Sequence, residues 1–186
     1  LVADYAVGYP FSYLTDDRVL LAPYLGIPGE REESLLAKWL ENVWRPGEQI
    51  QTYSLLERMA KAINQGLTYT VREEPGVQPV EQTLSLGNGS CRDFAVLFME
   101  GARCLGLATR FVSGYLHAPP SSTDYGATHA WAEVYLPGAG WKGIDPTTSE
   151  LAGTDHIAVA VARLPESVSP VAGSFVGQHG SKLDVG

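Results

Sequence analysis

The sequence has no long hydrophobic run. Nowhere do about 18 apolar residues follow one another, the length that a membrane-spanning helix requires. Positive charge is also short: 13 Lys and Arg stand against 21 Asp and Glu, leaving a formal charge of −8 and a pI near 4.9. Nucleic acid and anionic membranes would repel such a chain, so neither is expected as a partner. Cysteine is scarce, with Cys91 and Cys104 alone. No Cys-x-x-Cys pair exists, which disfavours a zinc site built from these cysteines and the histidines; no metal and no cofactor are expected. The two cysteines fall on one expected helix, about 20 Å apart at 1.5 Å per residue, too far for a disulfide within it. A reduced, cytoplasmic setting is the expectation. Internal repeats and low-complexity tracts are missing. So is a starting Met: the chain opens at Leu1 and is expected to be cut from something longer.

What is present suffices for a core. Of 186 residues, 45% are hydrophobic and 4 are Trp. The stretch that organises the rest is Gly87-Asn88-Gly89-Ser90-Cys91-Arg92-Asp93-Phe94-Ala95. It reads as a glycine loop delivering a cysteine onto the first turn of a helix. Ser90 is a good N-cap, and Asp93 completes a Ser-x-x-acid box. Phe94, Ala95, Leu97, Phe98, Ala102 and Leu105 repeat at helical spacing, and Gly106 is a natural stop. Cys91 would face free backbone N–H groups at the positive end of the helix dipole, which favours thiolate over thiol. A small buried hydrophobe is the bland alternative.

In chain order, residues 1–29 lack a clear period and read as an N-terminal arm, or the remnant of a preceding region. A first helix is expected over Glu30–Val43 and a second over Thr52–Gln65. A short strand follows at Leu67–Arg72, then an exposed loop from Glu73 to Gln82. After the cysteine helix the pattern turns to strands: Ala108–Leu116, Thr128–Leu136, Trp141–Asp145 and a buried one at Ile157–Arg163. The polar segment 117–127 is long enough to be a functional loop. The core is expected over 30–170, with a fraying C-terminal tail at 171–186. Helices first and antiparallel strands after imply an α+β domain.

A cysteine nucleophile needs a base, and the base needs a third group to orient it. Thr128–Leu136 offers His129, and the returning strand offers Asp145. An even-length hairpin loop would place these two on opposite faces of the sheet. A three-residue loop at Pro137–Ala139 would instead set Trp131 opposite Asp145, with His129 one diagonal step away. The set therefore predicts an odd loop. The order Cys, His, Asp is that of the papain-like arrangement, where Asn takes the third place.

Residues 52–150 resemble the transglutaminase-like superfamily. The matching blocks are Gly89 to Ala95, Arg103 to Tyr115, Thr128-His129-Ala130-Trp131-Ala132-Glu133-Val134-Tyr135, and Trp141-x-x-x-Asp145-Pro146-Thr147. Pro10 to Leu25 and Asp155 to Ala160 resemble the flanks of bacterial members; Arg163-Leu164-Pro165-Glu166 departs from the Arg-Asp-Tyr of such relatives. The resemblance implies a papain-like, transglutaminase-like core with the cysteine helix packed on an antiparallel sheet. It implies a triad at Cys91, His129 and Asp145, and a bacterial, cytoplasmic protein.

The implied reaction is acyl transfer on a peptide or protein amide, with a thioester on Cys91 and His129 protonating the leaving amine. Hydrolysis is favoured over transamidation. The Cys91 backbone N–H is one oxyanion donor; Tyr69 or Gln82 is the expected second. Trp131 and Trp141 are candidate cleft walls, with core packing the alternative for each. His117, His156 and His179 are read as bystanders. The rival reading is a catalytically silent binding or assembly module on the same fold.

Overall fold

The computed structural model describes residues 1–26, 34–72, 74–117 and 128–169. Of the segment 117–127, expected as a functional loop, residues 118–127 lie outside the described residues, as do His179 and the expected tail.

Helix α3 (Thr52–Gly66) and helix α5 (Cys91–Cys104) are both amphipathic. Leu55, Leu56, Met59 and Ile63 of the first join Phe94, Leu97, Phe98 and Met99 of the second in one buried cluster. The apolar stripe is the reason: residues three and four apart share a helix face, and that face must leave water. Full burial of one such side chain contributes about 1.5–3 kcal/mol. Helix α2 (Leu35–Glu41) adds Leu36 and Leu40 to the same cluster.

The sheet side comes from β5 (Thr109–Leu116), β6 (Thr128–Leu136), β7 (Gly140–Asp145), β8 (Glu150–Leu151) and β9 (His156–Ala162). These form an antiparallel sheet in the order β8-β7-β6-β5-β9. Alternate residues of β6 — Ala130, Ala132, Val134 and Leu136 — are buried with Ile144 of β7 in the cluster that holds α5. Leu136 pairs with Gly140, so the β6–β7 loop is the three residues Pro137, Gly138 and Ala139. The odd loop expected from the sequence is present, and its register carries Trp131 to a position opposite Asp145.

Three expectations are corrected. The loop expected over 73–82 stops short at 79: helix α4 (Val80–Leu86) starts after Pro79 and ends at Gly87, whose φ of +67° suits a residue without Cβ. The strand expected at 67–72 shrinks to β3 (Thr68–Tyr69). It joins the helical half through β4 (Asn88–Gly89), with Thr68 beside Asn88 and Tyr69 beside Gly89. Finally, β9 is not a buried strand. It is an edge of the sheet, and Ile157, Val159 and Val161 are exposed. Alternation of Val and Ala reads the same at an edge as in a core.

The arm at the N-terminus packs onto the domain. The short helix α1 (Thr15–Leu21) follows Tyr13, whose hydroxyl donates to the Tyr135 carbonyl at 2.8 Å and accepts from the Ala108 N–H at 3.0 Å. Strand β1 (Gly8–Tyr9) pairs antiparallel with β2 (Ile50–Gln51), and Tyr9 is buried and donates to the Leu105 carbonyl at 2.7 Å.

The start of α5 is fixed by a buried carboxylate. Asp93 accepts from the Ser90 N–H and hydroxyl, both at 2.8 Å, from the Gln78 N–H at 2.7 Å, and from Arg72 at 2.8 and 2.9 Å. Burial works to raise its pKa, but these donors overcome it and hold the carboxyl below its ordinary value. Asp93→Ala would leave the Arg72 guanidinium without this partner and undo the cap. The expected cost is about 3–5 kcal/mol of unfolding free energy, measured by urea denaturation.

Candidate active site

Two ends meet here. Cys91 is the first residue of α5, and His129 is the second residue of β6. The turn before Cys91 is held by β3–β4 pairing and by the Asp93 network. The position of His129 is set by its pairing with Gly114 of β5. The imidazole is influenced by the Cys91 side chain and hydrogen-bonds to Asp145. Its Nε2 lies 2.7 Å from Asp145 Oδ2, leaving Nδ1 for the sulfur.

Asp145 ends β7 and its side chain is 0% exposed. Burial of a lone carboxylate is expensive, so every oxygen needs a donor. Oδ1 accepts from the Thr147 N–H at 2.8 Å, in the turn that Pro146 opens. Oδ2 accepts from His129 and also from His156 Nε2, at 3.0 Å. His156 opens β9 and its side chain is 6% exposed. The sequence reading set His156 aside as a bystander; the structure places it on the same oxygen as His129.

These contacts set the charges. Burial pushes His129 toward the neutral form, but the bonds and charges of Asp145 and Cys91 outweigh it and raise its pKa to about 9. Burial likewise works against the Asp145 carboxylate, yet the bonds from His129, His156 and Thr147 hold it down at about 2. At neutral pH the pair is therefore imidazolium and carboxylate.

A cleft of about 400 Å³ opens beside the sulfur. Cys91, His129, Tyr69, Arg72, Arg92 and Glu166 are among the residues that line it. Arg92 is tied down by the Arg72 and Glu74 carbonyls, at 2.9 and 2.7 Å.

The other expected cleft residues divide. Tyr69 lines the cleft. Gln82 does not: it is exposed on α4, because the segment is helical there and turns that side chain to solvent. Trp131 is 2% exposed and packs edge-on against His156, with ring centroids 5.1 Å apart; it lies behind the histidines and is not a cleft wall. Trp141 is elsewhere, stacked with Tyr24 and Tyr135 and beneath the Arg110 guanidinium at 4.3 Å. Aromatic residues at odd positions of a strand share a face, but that face is longer than the site.

His129, Asp145 and His156 are the one group of metal-ligand type among the described residues. Their arrangement favours protons over a metal. The Gly153 N–H donates to His156 Nδ1 at 3.3 Å, which leaves the ring proton on Nε2, where a metal would need a lone pair. Cys104, at the far end of α5, is exposed and contributes nothing here.

Comparison with known proteins follows the same outline. The family model for the transglutaminase-like superfamily matches residues 46–146. An uncharacterised protein of Mycobacterium bovis is 34% identical over 141 residues, which cover 70% of this chain and 45% of that relative. An uncharacterised protein of Mycobacterium leprae is 37% identical over 101 residues, covering 52% of this chain and 36% of that relative. The chain thus spans less than half the length of these curated relatives. Among solved structures, a candidate cysteine protease of Cytophaga hutchinsonii superposes with a TM-score of 0.62 at 20% identity, over 84% of this chain and 50% of that one. The periplasmic domain of TgpA from Pseudomonas aeruginosa gives 0.54 at 22% identity, over 72% and 48%. Calcium-bound LapG of Legionella pneumophila gives 0.52 at 16% identity, over 79% and 82%. The architecture is accordingly the papain-like α+β fold.

Asp145 makes acid stability a test. A carboxyl whose folded pKa is depressed stabilises the fold above its unfolded pKa and loses that contribution as pH falls through the folded value. The window runs from the ordinary 3.8 to about 2. Roughly 2 kcal/mol should disappear across it. In urea titrations, the stability gap between wild type and Asp145→Asn should be open at pH 6 and narrow by about that amount toward pH 2.

Proposed function

The chain belongs to the transglutaminase-like superfamily, and from that premise we propose that it is a cysteine-dependent acyl-transfer enzyme acting on amide bonds. The observation that carries this reading is the grouping of Cys91 and His129 on one cleft, with His129 hydrogen-bonded to the buried Asp145.

The substrate is a peptide or protein amide. Cys91 attacks the carbonyl carbon as thiolate, forming the S–C bond. His129, held as imidazolium, gives its Nδ1 proton to the departing amine. The products of this half are a thioester on Cys91 and a free amine. Water then attacks the thioester while His129 takes its proton, and the acid is released. Asp145 remains ionised throughout and keeps the imidazole in the orientation and charge state that the step needs. The Cys91 backbone N–H lies in the first turn of α5, where no intrahelical acceptor exists, and is aimed for the oxyanion. Tyr69 is proposed as the second donor, being the expected candidate that lines the cleft.

Hydrolysis is proposed ahead of transamidation, in keeping with the candidate cysteine protease among the structural neighbours. Release of ammonia or amine without amine incorporation would bear this out; incorporation of a labelled primary amine into a glutamine peptide would reverse the order.

The test needs no known substrate. Iodoacetamide alkylation should proceed faster at Cys91 than at exposed Cys104, read site by site by peptide mass spectrometry. His129→Ala should slow Cys91 alkylation at pH 7 by about 10²-fold without altering Cys104. Equal rates at the two cysteines, unchanged by His129→Ala, would dispose of the enzyme reading and favour a silent module.

Amide turnover should also fall as pH rises through about 9. The raised pKa of His129 means that its proton is present below that value and lost above it, and without the proton no acid is available for the leaving amine. Initial rates between pH 7 and 10.5 on any amide found to be cleaved will check this.

A further inference from the structure

We infer that His156 is a positioning residue of this site: a second imidazole that pins the Asp145 carboxylate at the same oxygen as His129. The inference rests on the acyl-transfer reading above for its consequence, but its geometry stands alone.

Four observations converge. First, His156 Nε2 and His129 Nε2 approach the same oxygen, Oδ2, at 3.0 and 2.7 Å. Second, the remaining ring nitrogen of His156 accepts from the Gly153 N–H at 3.3 Å, which fixes the ring's tautomer as the Nε2–H donor. Third, the ring is held edge-on against Trp131, 5.1 Å between centroids and 81° between planes. Fourth, the chain departs from regular pairing to bring His156 there. Between Ser113 and Gly114 the β5–β9 register shifts by one residue: Ser113 faces Ala160, but Gly114 faces Ala158 and Leu116 faces His156. Alternate residues of a strand point to opposite faces, so without that bulge His156 would fall on the wrong side of the sheet. Room for the arrangement comes from Gly114, where a Cβ would lie 2.1 Å from the Ile157 carbonyl oxygen and 2.9 Å from the Trp131 ring.

The physical consequence concerns Asp145. With Thr147 N–H on Oδ1 and two imidazoles on Oδ2, the carboxylate cannot rotate without disturbing bonds from three separate segments, and a proton on either oxygen would compete with a donor already there. Those are the groups that bond it and set its charge. Hydrogen bonds to the charged form lower a carboxyl pKa, and the His156 bond is one of those that keep Asp145 at about 2. His156 is not among the residues that line the cleft, so it acts on the reaction through the orientation of Asp145 and hence of His129.

The experiment uses the full chain labelled with 13C-aspartate and 15N-histidine. Asp145 is assigned by loss of its signal in Asp145→Asn. His156→Leu keeps the volume and removes the donor; its Asp145 carboxyl titration should move upward by about 1 pH unit, and Cys91 alkylation at pH 7 should slow about tenfold. His156→Gln, which can still donate, should return both toward wild type. A wild-type Asp145 titration and wild-type Cys91 alkylation in folded His156→Leu would overturn the inference. Should His156→Leu fail to fold, the unmodified chain still decides: at pH 8 the 15N shifts must show the His156 proton on Nε2, and a proton on Nδ1 would refute the proposed bond. Failure of the enzyme reading looks different, since then Cys91 is unreactive in wild type while the Asp145 titration still responds to His156.

Discussion

A carboxylate with no access to water is the constraint around which the sheet half of this molecule is arranged. Asp145 cannot be buried ionised unless hydrogen bonds replace its hydration, and three donors do so from β6, β9 and the turn after β7. Each donor fixes a piece of chain. The outcome is an imidazole with one nitrogen committed and the other directed at a sulfur, a state that no flexible strand end would hold by itself.

The helical half solves the same problem with a different carboxylate. Asp93, also buried, is answered by Ser90, Gln78 and Arg72, and these contacts freeze the turn that carries Cys91. The cleft therefore has a saturated acid behind each of its two principal groups. The acids differ in what their surroundings ask of them. Around Asp93 the partners are a guanidinium, a hydroxyl and backbone amides, none of which needs to change protonation state near neutrality. Around Asp145 two of the partners are imidazoles, and His129 is the one that gives and takes a proton in the proposed reaction. One acid holds a backbone turn and the other orients an imidazole, and the distinction lies in their neighbours rather than in the residue type.

Much of this was legible in the chain because local rules and long-range order agreed there. The capped cysteine helix, the clean alternation of Thr128–Leu136 and the Pro-Gly-Ala turn each carry their own signal. Parity of the hairpin then links His129 to Asp145. The misses have equally physical origins. Helix α4 is one turn and a half, too short for a period to emerge, and its Pro79 start read as loop. Strand β9 alternates like a core strand although one edge and its Ile and Val side chains meet water. Trp141 shares a strand face with the site but sits farther along it. His156 escaped because its place depends on a bulge, and nothing in the residue types around Ser113 and Gly114 announces a one-residue slip. Its only hint was its position at the head of an alternating segment, like His129 on its own strand.

The same slip has an effect at the margin of the sheet. An apolar outer strand with free backbone donors and acceptors is a template on which another chain can extend the ladder, the usual first step toward aggregation. Ile157, Val159 and Val161 would make an attractive one. A bulged strand is twisted and loses its even spacing, so an incoming partner would find matching groups along only part of its length. The irregularity at Ser113 and Gly114 thus shortens the stretch of this oily rim along which a further strand could find matching groups.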